Sequence, residues 1–244
     1  MKLTVLGCST PFPRRDNPCS GYLVSGEQTA VLLDCGSGVF ANLLDHMDPR
    51  GLTCVWISHM HPDHSADLVT FANWALNVEN VPRIRVFGPE GWDRRLNNFL
   101  SDGTGDNLVH DLFDVGYIED GATLELGELR LTGRLVHHSV TTYGVRISGS
   151  SSTFAYSGDT GVCHALEELA ENVDLLLCEA GSDTPTEYHL TIQQARDIAF
   201  KANVGKLLIT HVPYGANTTL AARIDDSLME IVATNRAWLI GSSN

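Results

Sequence analysis

An αββα sandwich is the fold class that this sequence predicts: two mixed β-sheets packed face to face, with helices on their outer faces. Three observations lead to it. Short apolar runs of strand length recur from one end of the chain to the other. In both halves, an opening hairpin pattern gives way to strands alternating with helical periodicity. No Pro/Gly/Ser-rich linker or charge block divides the 244 residues, so 1–244 is expected to form a single domain.

Taken in order, the strand runs are residues 3–6, 22–24, 30–33, 55–57, 84–87, 129–136, 145–147, 154–156, 173–177 and 207–209. Helical spacing is found in Leu68, Phe71, Ala72, Ala75 and Leu76, and again in Leu220, Ile224, Leu228 and Ile231. A third helix is expected over 191–201, where Thr191 and Gln194 stand at capping-box spacing and Ile192, Ala195 and Ala199 share a face. Ser-Gly-Ser-Ser-Ser at 148–152 reads as a hairpin turn.

A content of 43% hydrophobic and 19% charged residues excludes a disordered chain, and no apolar run nears the roughly 18 residues that span a bilayer. Thirty acidic residues against sixteen basic ones leave a formal charge of −14, which repels polyanions. Long nucleic acids and anionic membranes are therefore disfavoured partners. The chain opens on a short strand running into Pro11-Phe12-Pro13-Arg14-Arg15, not on a charged head before an apolar core, so export is not expected. Cys8, Cys19, Cys35, Cys54, Cys163 and Cys178 lie far apart without a Cys-x-x-Cys pair, as expected of free thiols in a cytoplasmic protein. Cys54 and Cys178 sit in apolar runs and read as core.

The chemistry is concentrated after residue 57, in Ser58-His59-Met60-His61-Pro62-Asp63-His64. Three imidazoles and a carboxylate fall within six positions past a strand end, a density that solvated loop histidines explain poorly. His59 and His61 alternate, so both can turn toward one cation. Asp63 and His64 follow the bend at Pro62 and can face a second. Imidazole with carboxylate suits zinc, iron or manganese over calcium or magnesium, with zinc the commonest. One loop supplies too few donors for two ions, and three later strand ends offer more. They are His137-His138, Asp159 within Ser157-Gly158-Asp159-Thr160-Gly161, and His211 within Thr210-His211-Val212-Pro213. Asp159, set between glycines, is the natural ligand for two ions to share.

With these residues in place, the sequence resembles the metallo-β-lactamase superfamily, whose HxHxDH motif matches His59, His61, Asp63 and His64. The likeness spans nearly the whole chain. It is strongest to the ribonuclease Z-like phosphodiesterase branch, through Leu6-Gly7-Cys8, Leu33-Asp34-Cys35-Gly36 and His189 ahead of Thr191. In that branch the third ligand stands six residues before a glycine, so Gly144 selects His138 over His137. The resemblance implies two divalent ions, Zn2+ foremost and Mn2+ or Fe2+ as alternatives. One takes His59, His61, His138 and Asp159; the other takes Asp63, His64, His211 and the shared Asp159. It further implies that Asp34 orients a ligand imidazole and that Asp63 and His189 are catalytic, His189 by protonating a leaving oxygen or stabilising phosphorane charge.

Such a pair of cations, roughly 3.5–4 Å apart, would share a water, lower its pKa to about 7 and present hydroxide for in-line attack. The leading reading is a dinuclear metal-dependent hydrolase, a phosphodiesterase acting on a small phosphodiester such as a cyclic nucleotide. Departures from relatives narrow it. β-Lactamases usually lack a histidine after the motif aspartate, where His64 stands here. The family's lactonases carry a tyrosine where this chain has Thr160, Gly161 and Val162. Ribonuclease Z inserts a tRNA-gripping arm where His138 to Asp159 leaves room only for a hairpin. A tRNA 3′-processing endonuclease, a carboxylic ester, thioester or lactone hydrolase, and a non-catalytic metal-binding nucleotide sensor are the alternatives. Tyr188, Tyr214, Asn217 and Thr142 flank the ligands as candidates for a base or sugar pocket, and a homodimer is the assembly that relatives suggest.

Overall fold

The computed structural model of the protein describes residues 1–101, 107–215 and 228–241. Its strands run in chain order as β1 (Lys2–Gly7), β2 (Ser9–Thr10), β3 (Gly21–Ser25), β4 (Ala30–Leu33), β5 (Cys54–Trp56), β6 (Ile84–Gly88), β7 (Phe113–Tyr117), β8 (Thr123–Leu126), β9 (Leu129–Val136), β10 (Thr142–Ser148), β11 (Thr153–Tyr156), β12 (Leu175–Glu179), β13 (Lys206–Thr210), β14 (Val212–Pro213), β15 (Met229–Ile231) and β16 (Ala237–Leu239). The α-helices are α1 (Val39–Leu44), α2 (Pro62–Ser65), α3 (Leu68–Asn77), α4 (Trp92–Leu100), α5 (Leu108–Leu112), α6 (His164–Ala170) and α7 (Ile192–Lys201).

Two mixed sheets result, ordered β16-β1-β3-β4-β5-β6-β7 and β15-β13-β12-β11-β10-β9-β8. Each has the same plan. Hairpin-connected strands pair antiparallel on one side, β1 with β3 and β3 with β4, or β8 to β11. Crossover-connected strands pair parallel on the other, β4 to β7, or β11 to β13 and β15. The αββα expectation holds.

The period-2 alternation of β-strands assigns the layers. Val31, Leu33, Leu175 and Leu177 face the core between the sheets, among Tyr22, Trp56, Phe154 and Tyr156. Leu32 turns outward to Phe40, Leu43, Phe71 and Trp92 under α1, α3 and α4. Leu176 and Cys178 turn outward to Leu166, Leu169, Ala195 and Ile198 under α6 and α7. Cys54 and Cys178 are fully buried, and all six cysteines are unpaired.

The capping box forms as the sequence predicts: Thr191 accepts from the Gln194 amide at 3.2 Å, and Gln194 accepts from the Thr191 amide at 2.9 Å. The turn at 148–152 closes the β10–β11 hairpin through Gly149 N–H and the Ser152 carbonyl at 2.9 Å. One expectation is corrected. Leu220 and Ile224 lie outside the described residues, but Met229–Ile231 forms a strand, pairing Leu207 with Met229 and Ile209 with Ile231. Four apolar positions at helical spacing could not reveal that this stretch completes the edge of a sheet. Among the described residues no helix is long and apolar enough to cross a membrane.

The direction of the strands places the site. Strand β9 runs antiparallel to β10, and β10 antiparallel to β11, so β9, β11, β12 and β13 all end on one edge of the second sheet. Residues directly after those ends, and after β4 and β5 of the first sheet, therefore come together.

Candidate metal centre

The motif after β5 divides as its spacing suggests. His59 is fully buried, His61 caps α2 in extended backbone, and Pro62 opens that single-turn helix so that Asp63 and His64 turn inward. His138 follows β9, Asp159 follows β11 and His211 follows β13. Their donor atoms gather in two groups, His59, His61, His138 and Asp159 in one and Asp63, His64 and His211 in the other, each within 4.8 Å. Asp159 Oδ2 lies 3.7 Å from His59 Nε2 and 3.3 Å from His211 Nε2, and Oδ1 lies 3.3 Å from His64 Nε2. It therefore stands between the groups.

Glycine permits that placement. Gly158 has φ +60, and a Cβ on Gly161 would stand 2.0 Å from the Glu187 carbonyl oxygen. Asp34 and His211, with φ 59 and 56, are held in the left-handed region without that freedom, a backbone state common at functional sites.

Asp34, after β4, accepts four hydrogen bonds: from Ser58 N–H at 2.7 Å, Ser58 Oγ at 2.8 Å, Tyr156 Oη at 2.7 Å and His64 Nδ1 at 2.7 Å. These partners set the tautomers around it. Ser58 Oγ gives its proton to Asp34 and so accepts from His59 Nδ1 at 3.0 Å, leaving the lone pair on His59 Nε2. His138 Nδ1 donates to the Tyr188 carbonyl at 3.0 Å, which leaves its Nε2 as the acceptor. Both lone pairs face His61 Nδ1, at 3.0 and 3.3 Å, and one proton there satisfies only one of them.

Burial depresses the pKa values of His59, His61 and His138, keeping these rings neutral and able to donate lone pairs. At His64 burial opposes charge, yet Asp159 and Asp34 outweigh it and hold the pKa well above its ordinary value. Asp159 is likewise penalised by burial, but His211 and His64 hold its pKa well below the carboxylate range. Asp159 Oδ1 and His211 Nδ1 are buried without a hydrogen-bond partner. Converging lone pairs, buried carboxylates whose ion pairs are all to imidazoles, and orphaned polar atoms together fit divalent cations.

His138 reaches the cluster and His137 does not; the His137 ring is half exposed, with Nε2 3.7 Å from Glu187 Oε1. His189 stands beside the cluster, its ring stacked at 16° on His211 with centroids 5.6 Å apart. Two contributors escape sequence reasoning. Glu179, fully buried at the end of β12, receives His189 Nδ1 at 3.0 Å and the Thr160 amide at 2.9 Å. Its one visible signal is a carboxylate closing the otherwise apolar run Leu175–Glu179. Thr10 donates to Asp63 Oδ2 at 3.0 Å, a contact with no local signature. Thr142 is buried and gives its hydroxyl to the Val140 carbonyl, which makes it part of the turn, not of a pocket. Tyr188 and Tyr214 are exposed near the cluster, and Asn217 lies outside the described residues.

A family model described as the beta-lactamase superfamily domain matches residues 29–212, which include every donor named above. The chain belongs to this superfamily. An uncharacterized protein of Mycobacterium leprae is 39% identical over 222 residues, covering 87% of this chain and 78% of that protein. Bacillus subtilis YhfI, named a probable metallo-hydrolase, is 29% identical over 234 residues, covering 88% of each. In the crystal structure of YhfI, described as a metallo-beta-lactamase fold protein, the match has a TM-score of 0.84 and 26% identity over 98% of this chain and 99% of that one. The short form of human tRNase Z shares the fold, with a TM-score of 0.79 and 18% identity over 98% of this chain and 99% of that one. Superfamily, fold and donor cluster together make this protein a hydrolase of the metallo-β-lactamase fold with a candidate metal centre.

Proposed function

We propose that the protein is a dinuclear metal-dependent phosphodiesterase acting on small phosphodiesters, with cyclic nucleotides as the leading class. The observation that carries this reading is the pair of adjacent donor groups with the Asp159 carboxylate within 3.7 Å of imidazoles in both, and the His189–Glu179 pair set beside them. His59, His61, His138 and Asp159 would hold one divalent ion, zinc by preference, and Asp63, His64, His211 and Asp159 the other. Bound there, two such ions supply an activated water and neutralise charge on phosphoryl oxygens.

The protein's own groups do the rest. Asp34 fixes the His64 ring and, through Ser58, the His59 ring, so that neither must reorganise during reaction. Asp63 is steadied by Thr10. Glu179 accepts from His189 Nδ1, and that hydrogen bond, working against burial, raises the His189 pKa. That shift favours the protonated ring, whose Nε2–H would pass to a leaving alkoxide or steady charge on the phosphoryl group.

A small substrate in preference to RNA follows from two observations. Between His138 and Asp159 the chain makes only the tight β10–β11 hairpin, with no projecting arm, and the chain carries a charge of −14. The test is a metal-reconstituted screen against cyclic nucleotides, linear dinucleotides, precursor tRNA, nitrophenyl acetate and lactones. Turnover confined to small phosphodiesters is expected; faster cleavage of precursor tRNA or of carboxylic esters would replace this reading.

A further inference from the structure

We propose that Phe12, Arg14 and Tyr214 form the subsite that takes the aromatic base of a nucleotide substrate, an inference that rests on the phosphodiesterase reading. It begins from the small parallel pairing of β2 with β14, which aligns Ser9 with Val212 and Thr10 with Pro213. The two strands are the immediate continuations of the donor set. Thr10 holds Asp63 at 3.0 Å, and Val212 follows His211 directly. Beyond the paired strands, one segment carries Phe12 and Arg14 within four residues of Thr10, and the other carries Tyr214 directly after Pro213.

That outer surface is built, not loose. Ser9 Oγ donates to the Phe12 carbonyl at 2.8 Å and accepts from Arg14 Nε at 2.8 Å. Arg14 also donates from a terminal nitrogen to the Val212 carbonyl at 2.9 Å, which ties the two segments together. The Arg14 guanidinium carbon lies 5.6 Å from the centroid of the Tyr214 ring, and the Phe12 ring stands 6.4 Å from it at 45°. Arg14 thus backs one side of Tyr214 by a cation–π contact and fixes its attitude. Yet Tyr214 remains 73% exposed and Phe12 52%. Exposed rings on backbone segments that continue from a phosphoryl-binding centre are an arrangement by which proteins stack bases, since every base offers a π-face. Among the described residues no carboxylate pairs with Arg14, so it places a positive charge in this corner of a chain whose net charge is −14.

Tyr188 offers the rival position. Its ring packs against His137 and His138, at 5.5 and 6.1 Å, and its carbonyl is committed to His138 Nδ1. It is only 36% exposed and lies against the first donor group. We assign the base to the Phe12–Tyr214 corner because that corner has both the open ring faces and the cation.

Isothermal titration of the metal-loaded protein with adenosine 5′-monophosphate and with ribose 5-phosphate isolates the base, since the two probes share sugar and phosphate. The wild-type protein is expected to bind the nucleotide about tenfold tighter or more, the size of one base–aromatic stack. In Phe12→Ala/Tyr214→Ala that preference should vanish while ribose 5-phosphate affinity stays the same. Tyr214→Phe, which keeps the ring, should retain it, and Arg14→Gln should reduce it. Equal binding of the two probes by the wild-type protein overturns the inference. So does a preference that survives the double substitution, or one abolished by Tyr188→Ala alone. If cyclic nucleotides are not hydrolysed but the preference depends on Tyr214, the proposed reaction fails and the subsite stands. Hydrolysis without the preference has the opposite meaning.

Discussion

Glu179 Oε1 lies 3.0 Å from His189 Nδ1 and at the same time accepts the Thr160 amide one residue after Asp159. The candidate proton donor is thus tied through one carboxylate to the loop carrying Asp159, the proposed shared ligand. His189→Ala should keep its metal and lose about 10²–10⁴-fold in kcat on alkyl phosphodiesters, but much less on nitrophenyl esters that leave unaided. Equal loss on both would count against proton donation. Glu179→Gln tests the same pair through pH. Glu179 raises the His189 pKa, and the acid form works only below that pKa, so activity falls as pH rises through it. With the carboxylate removed, this descending limb should move to lower pH; an unmoved limb rejects the coupling.

Asp159 stands between the two donor groups, so Asp159→Ala should weaken both ions together. Metal analysis after gel filtration is expected to show loss from both positions and collapse of turnover. Full metal content with a normal rate would remove it as the shared ligand.

The adjacent histidines at 137 and 138 make an internal control. His138→Ala should lower metal content and turnover sharply, whereas His137→Ala, whose ring is half exposed and outside the cluster, should stay within a few-fold of wild type. Comparable losses in the two variants would contradict the assignment.

Asp34 receives four hydrogen bonds without itself belonging to either donor group. Asp34→Asn should cost about 10–100-fold in metal affinity or activity, because the His64 ring loses the partner that fixes its tautomer. Competition with a chelator measures it, and an unchanged affinity would deny Asp34 that role.

Away from the site, Thr191→Ala removes one half of the capping box at the start of α7 and should destabilise the protein by about 1 kcal/mol in urea unfolding. No shift in midpoint would mean the helix start is held by its packing alone.

Much of this molecule was legible before its structure. Strand runs such as Ala30–Leu33 and Leu129–Val136, the α3 face and the Thr191–Gln194 cap are local patterns, written in residues close together along the chain. Such patterns survive folding because β pleat and helical turn are themselves local. The donor residues were legible for a related reason, since imidazoles and carboxylates stand out where they crowd past strand ends. The stretch at 229–231 carries too few apolar positions to separate a helical period from a strand, and pairing with β13 decides for the strand.

The sequence by itself thus determined the fold class, the superfamily and the candidate donors that crowd past strand ends. Only the tertiary structure decided how the donors divide, that Glu179 and Thr10 support the centre, and that Arg14 lies against a tyrosine 200 residues further along. The physical reason is that these contacts depend on which strand ends share one sheet edge and on how two sheets face each other, and neither relation leaves a trace in neighbouring residues.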